Sequence, residues 1–350
     1  MPWSCFSVRP HNSLERNMIM AEVSTPYQTQ TYYALALDPI HVGSGEMQIG
    51  RVDNVIVRDT ANGLPKIPAT SLAGAARTYT AMHYPDKYRR PVEDSEGRVG
   101  YASCADQTGP TGDRDGACGH FDCPVCITYG FIQPGGRTSP SMVQMFDAFP
   151  LFFPVPSMLG PVWTTAPERL QALLQDGALK EGDLNIRLRP EHGYRLQTAL
   201  PRKRLNLGWL LLPVAISEAP LTSQGHARMR EAGVPEDILS RLVLVPDDLF
   251  TQVVNDNLEV RTSTAINRTT GASLHGALFT YEAIPRSTLF SFQAVYKNPG
   301  DFLLDGQPLP HDIEWVRTQV EKGLHYMEYL GVGGMNSRGM GRLRILNLGQ

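Results

Sequence analysis

Short apolar stretches alternate with glycine- and proline-rich punctuation along the whole chain. "TYYALALDPI" sets Tyr33, Leu35 and Leu37 on one side, the two-residue period of a strand. "VDNVIVRD" is a second, shorter extended piece, and Asn62-Gly63 with Pro65 and Pro68 marks a turn. In "ATSLAGAARTYTAMHY", Leu72, Ala75, Ala76 and Tyr79 recur at helical spacing behind Thr70 or Ser71 as cap. "SMVQMFDAFPLFFPVPSM" reads as a buried strand ended by prolines, "PERLQALLQD" as a short helix opened by Pro167, and "GWLLLPVAI" as a strand. "PDDLFTQVVND" predicts a helix capped by Asp247 or Asp248. Residues 257–284 predict an extended hairpin turning near Thr270-Gly271, followed by the strand "STLFSFQAVY". The clearest helix is "HDIEWVRTQVEKGLHYMEYL", with Ile313, Val316, Val320, Leu324 and Met327 on one face behind Asp312. A glycine-rich turn, "GVGGMNSRGMG", then leads to a last strand.

The core elements run strand, helix, strand, then strand, helix, strand. This order predicts an α+β fold with a ferredoxin-like (RRM-like) palm, a common platform for single-stranded RNA. No apolar run approaches the roughly 20 residues of a membrane span, so no membrane partner is expected. Residues 1–26 read as a poorly ordered leader without a signal peptide, with Met18 or Met20 as alternative starts, and 27–350 as one domain. Net charge is −3, which argues against a free-standing duplex-DNA binder but suits a subunit with a local basic groove.

Cysteine usage sharpens the picture. Cys5 lies in the leader; Cys104, Cys118, Cys123 and Cys126 fall in one insertion at about 92–130. The Cys-Pro-Val-Cys spacer lets two thiolates converge on one ion, and four such ligands predict a structural Zn2+ with no open position for substrate. His120 is an alternative to Cys118. The loop between Cys104 and Cys118 is polar, so metal would drive its ordering. A reducing, cytoplasmic setting follows.

Two glycine-rich loops stand at either end of the predicted palm: "HVGSGEMQIG" with Gly43, Ser44 and Gly45, and the last-helix turn with Gly333, Gly334, Ser337 and Arg338. Glycine lets backbone N–H groups approach phosphates, and Arg338 and Arg342 add charge. Neither loop matches a Walker or dinucleotide pattern. Asp53 can hold a divalent ion or help activate a ribose hydroxyl, or be a solvated turn residue; His41 can touch a phosphate, move a proton or simply pack. Arg77 and the run Arg202-Lys203-Arg204 can line an RNA groove or form solvated faces.

Three stretches, "HVGSGEMQIGRVDNVIVRD", "GLPKIPATSLAGAAR" and "GVGGMNSRGMGRL", together resemble the signature stretches of the repeat-associated (RAMP) proteins of type III CRISPR effector complexes. "FDAFPLFFPVPSMLGPVWTTAP" and residues 246–285 resemble the backbone subunit of Cmr-type complexes. The resemblance covers most of 31–347. It implies several copies stacked along a CRISPR guide RNA beside other effector subunits. Each copy would grip the guide with its palm and insert a hairpin thumb, here 257–284, between guide and single-stranded target RNA. It implies metal-dependent (Mg2+ or Mn2+) cleavage of the target at regular intervals by 2′-hydroxyl attack. Asp53 matches the family's catalytic aspartate and His41 the histidine of its first motif, while Glu282 lies near the thumb base, where family members place groups that affect cleavage. Ser71 lies in the matching "PATSLAG", where Ala73 replaces a lysine that touches the guide, a contact that is then either weaker or supplied by Arg77. The alternatives are a catalytically inactive structural backbone subunit or a guide-RNA-processing endonuclease of the same superfamily. A zinc hydrolase is disfavoured by the thiolate-only shell.

Overall fold

The computed structural model describes residues 26–47, 52–106, 116–273 and 278–349. The expected leader, save Pro26, lies outside the described residues, as do 48–51 of the first glycine loop and 107–115 of the cysteine insertion. Six elements form the centre: β1 (Tyr27–Ala36), α1 (Ala69–His83), β2 (Phe149–Val155), β3 (Leu289–Lys297), α2 (Ile313–Leu330) and β4 (Leu343–Ile345). In space the strands lie β4-β1-β3-β2, every neighbour antiparallel. The longest ladder joins β1 to β3, from Tyr27 opposite Lys297 to Leu35 opposite Leu289. Val143–Met145 shares β3's edge with β2, so the expected single strand is broken in two.

Both faces of this sheet are covered. Tyr32, Ala34, Phe290, Phe292 and Tyr296 are buried beneath Leu72 and Ala76 of α1 and Val320, Leu324 and Met327 of α2. The Tyr32 hydroxyl satisfies itself there, 2.8 Å from the Tyr296 hydroxyl and donating to Glu321 at 2.9 Å. Tyr33, Phe152 and Leu289 face the other way, onto Leu170 and Leu173 of helix Pro167–Gln175 and Met229 of helix Ser223–Glu231. The alternation of Tyr33 and Leu35 therefore marks the second core; the first uses the positions between them. Beyond β2 the sheet continues through Val162–Thr165, Leu242–Leu244, Leu196–Gln197, Leu210–Ile216 and Arg204–Leu207.

A second sheet of four strands stands apart: Gly43–Met47, Asn54–Ile56, and the hairpin Glu259–Ser263 with Phe279–Ala283. "VDNVIVRD" thus belongs here rather than to the central sheet. The hairpin pairs from Glu259 opposite Ala283 to Ser263 opposite Phe279. It turns at 267–272, where the Asn267 side chain accepts from Thr269 N at 2.9 Å and its carbonyl from Gly271 N at 2.8 Å.

Three helix starts test the capping rules. Asp312 caps α2, its Oδ1 accepting from Trp315 N at 2.8 Å. The other two expected caps are corrected by neighbours. α1 opens at Ala69, before Thr70 and Ser71, and its Ala69 N–H is met by Asp147 Oδ1 at 2.7 Å. Asp247 does not cap its own helix (Asp247–Asp256) but accepts from Glu168 N at 2.8 Å, serving the start of helix Pro167–Gln175. Orphan helix N–H groups need an acceptor, and a tertiary carboxylate serves as well as a local one. Among the described residues no helix is long and apolar enough to cross a membrane.

Candidate nucleic-acid interface and metal centre

The chain leaves β1 through Asp38, pairs Ile40 with Ile284 at the end of the hairpin, and enters strand Gly43–Met47. Between them His41 is buried. Its Nδ1 lies 2.6 Å from the Glu282 carbonyl oxygen, which can only accept, so Nδ1 carries the proton. The ring's edge meets Tyr281 with centroids 6.0 Å apart. The His41 carbonyl accepts from Gly334 N at 2.8 Å. A Cβ on Gly333 would stand 2.5 Å from that same oxygen, and φ there is +82°, so only glycine lets the last loop press on the first. The two glycine loops therefore meet at one corner, with Gly43, Ser44, Gly45, Gly333, Gly334, Ser337 and Arg338 all exposed on it.

Asp53 stands at that corner, partly exposed, one residue before strand Asn54–Ile56. Thr280 holds it: the Thr280 backbone N–H and hydroxyl donate to Asp53 Oδ2 at 2.7 and 3.0 Å, and Asp53 N donates back to Thr280 Oγ1 at 3.0 Å. These donors, the backbone N–H above all, keep the Asp53 carboxyl below the usual carboxylate range. Both bonds fall on Oδ2.

Charges around the corner are unevenly committed. Glu282 pairs with Arg58 at 2.9 Å and is largely covered. Arg342 is bidentate to Asp38, at 2.5 and 3.1 Å. Arg338 lies over the Phe279 ring at 5.3 Å and has no carboxylate partner among the described residues. Of the last loop's two arginines, Arg338 alone is open to an anion. Ser71 sits partly exposed in the first turn of α1, its N–H on the Pro68 carbonyl at 2.9 Å. Arg77, expected on the RNA side, is instead turned toward the cysteines: its Nη2 donates to the Cys104 carbonyl at 3.1 Å. Burial pushes its guanidinium below the ordinary arginine value. Thr280, Tyr281, Arg58 and Phe279 were not singled out from sequence. Their one signal is the alternation of "FTYEA", which sends Thr280 and Glu282 to one face and Tyr281 to the other.

The cysteines gather as expected. The sulfurs of Cys104, Cys118, Cys123 and Cys126 all lie within 4.8 Å of one another, Cys118 and Cys126 at 3.8 Å. Metal–sulfur bonds of about 2.3 Å in a tetrahedron put sulfurs about 3.8 Å apart, so the cluster can bind a metal ion such as zinc. Cys123 begins helix Pro124–Tyr129 and its sulfur accepts from Cys126 N at 3.4 Å, which orients the thiolate. His120 is exposed and outside the cluster, which leaves Cys118 as the fourth donor.

Residues 34–344 match the profile of the RAMP superfamily. The chain belongs to that superfamily. This RAMP chain is 25% identical over 322 residues to the CRISPR system Cmr endoribonuclease Cmr4 of Pyrococcus furiosus, covering 88% of this chain and 92% of the relative. A shorter likeness, 44% over 59 residues, links it to the Cms endoribonuclease Csm3 of Mycobacterium tuberculosis and covers 16% of this chain and 25% of that one. Among solved structures it is similar to a chain of the Type III-B Cmr-beta complex bound to cognate target RNA. The TM-score is 0.58 at 16% identity, covering 92% of this chain and 99% of that one. A crystal structure of Cmr4 superposes at TM-score 0.53 and 18% identity, covering 92% and 100%. At such identities these structures speak for the mixed α+β fold.

Proposed function

We propose that this RAMP chain is a Cmr4-like backbone subunit of a type III CRISPR effector complex in the cytoplasm. It binds guide RNA and cuts complementary target RNA at the corner built by Asp53. In this reading the six central elements are a ferredoxin-like palm, the cysteine insertion is a zinc-stabilised finger, and the hairpin ending in Phe279–Ala283 is the thumb. The observation that carries it is Asp53 itself: a partly exposed carboxylate, fixed through one oxygen by the root of the hairpin, beside two glycine loops and Arg338. The relative named as an endoribonuclease and the neighbour named as bound to target RNA support it.

The chemistry is a transfer within the RNA. The 2′-hydroxyl oxygen attacks the adjacent phosphorus, the bond to the 5′ oxygen breaks, and a 2′,3′-cyclic phosphate and a 5′-hydroxyl result. Such attack needs an in-line arrangement that a regular helix forbids, so positioning is the chief catalytic device. A carboxylate whose pKa is held down is a weak base but a good orienting acceptor and cation ligand. Asp53 therefore orients the hydroxyl, or would hold Mg2+ or Mn2+ with its second oxygen. One carboxylate plus substrate phosphates is a sufficient donor set for such an ion, which would neutralise developing charge. His41 and Glu282 act through their neighbours, His41 by bracing the hairpin root through Glu282 O and Glu282 by tying that root to Arg58. The four cysteines would hold zinc, with Arg77 beside them to offset their negative charge.

The test is Asp53→Asn in the assembled complex. Target cutting should fall by about a hundredfold or more while assembly and target binding persist. Unchanged cutting in an intact complex would leave a structural backbone subunit instead.

A further inference from the structure

The last two strands of the large sheet, Arg204–Leu207 and Leu210–Ile216, make a hairpin that none of the preceding roles uses. At its turn stands Trp209, 71% exposed, with no hydrogen-bond or ring partner among the described residues. The other described tryptophans are committed: Trp163 donates to the Ser287 carbonyl at 2.8 Å, and Trp315 stacks on His311 at 3.6 Å. Exposing an indole costs hydrophobic burial, so a tryptophan held out at a turn asks for a partner.

The surroundings name the kind of partner. From Tyr194 to Ser217 the chain carries Arg195, Arg202, Lys203 and Arg204 and no aspartate or glutamate. All four are exposed, and none pairs with a carboxylate among the described residues. Arg204 lies opposite Pro213, three rungs up the ladder from the turn, or about 10 Å. This concentration of one sign stands out in a chain of net charge −3. Met158 and Leu211 are also exposed nearby, so the face offers apolar, aromatic and cationic groups.

The turn is also held in place. Gly208 N donates to the Pro156 carbonyl at 2.9 Å, and Asn206 Oδ1 accepts from Met158 N at 2.7 Å. Gly208 has φ +61°, and a Cβ on it would stand 2.5 Å from Asn257 Oδ1. Asn257 closes helix Asp247–Asp256 two residues before strand Glu259–Ser263. Trp209 is therefore fixed beside the root of the long hairpin.

We infer that this hairpin end is a second contact for single-stranded RNA, with Trp209 stacking on a base and Arg202, Lys203 and Arg204 neutralising phosphates. Stacking aromatics beside a basic track are how proteins hold single strands without reading sequence. The inference rests on the reading of the chain as an RNA binder and extends it to the last hairpin of the large sheet.

The full chain, titrated into a fluorescein-labelled oligouridylate, tests it by anisotropy across a range of salt. Trp209→Ala should weaken binding about tenfold and Trp209→Phe much less, since a smaller ring still stacks. Replacing Arg202, Lys203 and Arg204 with glutamine should flatten the salt dependence by about two in log–log slope. Wild-type binding matched by both the alanine and the glutamine variants overturns this contact and leaves the RNA-binding reading standing. Failure of the wild-type chain to bind removes both. Normal RNA binding by the variants with altered sedimentation of the RNA-free chain makes the face an interface between copies, and likewise overturns the inference.

Discussion

The cysteine cluster and the Asp53 corner are built on opposite plans. The cysteines converge from both sides of an insertion until four sulfurs lie within 4.8 Å, three of the residues wholly buried, so that one metal ion would complete a four-sulfur shell. Asp53 is a single acid kept partly in the open, with one oxygen committed to Thr280 and its neighbouring carboxylate, Glu282, already neutralised by Arg58. The first site is complete once metal is bound. On the function proposed above, the second is a half-site, whose remaining ligands come from whatever lies across the glycine loops. On that reading, the closed donor set belongs to the scaffold and the unfinished one is completed by substrate.

That contrast can be broken most forcefully at Cys123. Cys123→Ser should lower bound metal from about one ion per chain to almost none, and lower the melting temperature by about 5–10 °C, because metal binding here is folding energy. Metal analysis with a thermal melt checks it; a variant that keeps its metal and its melting point would show that the cluster is not one shell. Arg338→Gln sharpens the other side. With one phosphate contact gone, RNA affinity should fall several-fold and the salt slope by about 0.7, while metal content stays unchanged. The smallest effect is expected from Thr280→Val, which removes the hydroxyl from Asp53 Oδ2 but keeps the backbone N–H. Asp53's lowered carboxyl means the ionised form, and the Thr280 contacts it makes, persist to lower pH than for an ordinary aspartate, and are lost only as pH falls through the folded-state value. The variant's carboxyl should rise toward the ordinary range. The acid limb of target cutting should therefore move to higher pH with little change at neutral pH, a profile measured on the assembled complex.

Legibility in the sequence followed the range of the interaction. The α2 helix, its Asp312 cap, the hairpin turn near Thr270-Gly271 and the cysteine knuckle depend on residues a few positions apart, and each is readable. The order of the six central elements was readable too, because each carries its own period. What binds Asp53 was not: Thr280 is 227 positions away, and nothing in either local stretch announces the other. The same blindness misplaced the caps. Asp147 serves Ala69, and Asp247 serves Glu168, across folds of the chain that local rules do not see. Arg77 falls on the RNA side by the motif its helix bears; the insertion returning to place Cys104's carbonyl within 3.1 Å is a tertiary event.

Five residues, Phe279–Ala283, hold several of these threads at once. Thr280 answers to Asp53, Tyr281 to His41, Glu282 to Arg58, and Phe279 to Arg338. Because successive side chains of a strand point to opposite faces, sliding this segment by a single position would bring Tyr281 where Thr280 belongs and undo every pairing together. The turn at 267–272 is held differently, by bonds among its own residues. A one-residue change in length at the root therefore costs four contacts at once, whereas one at the turn disturbs a local set of bonds.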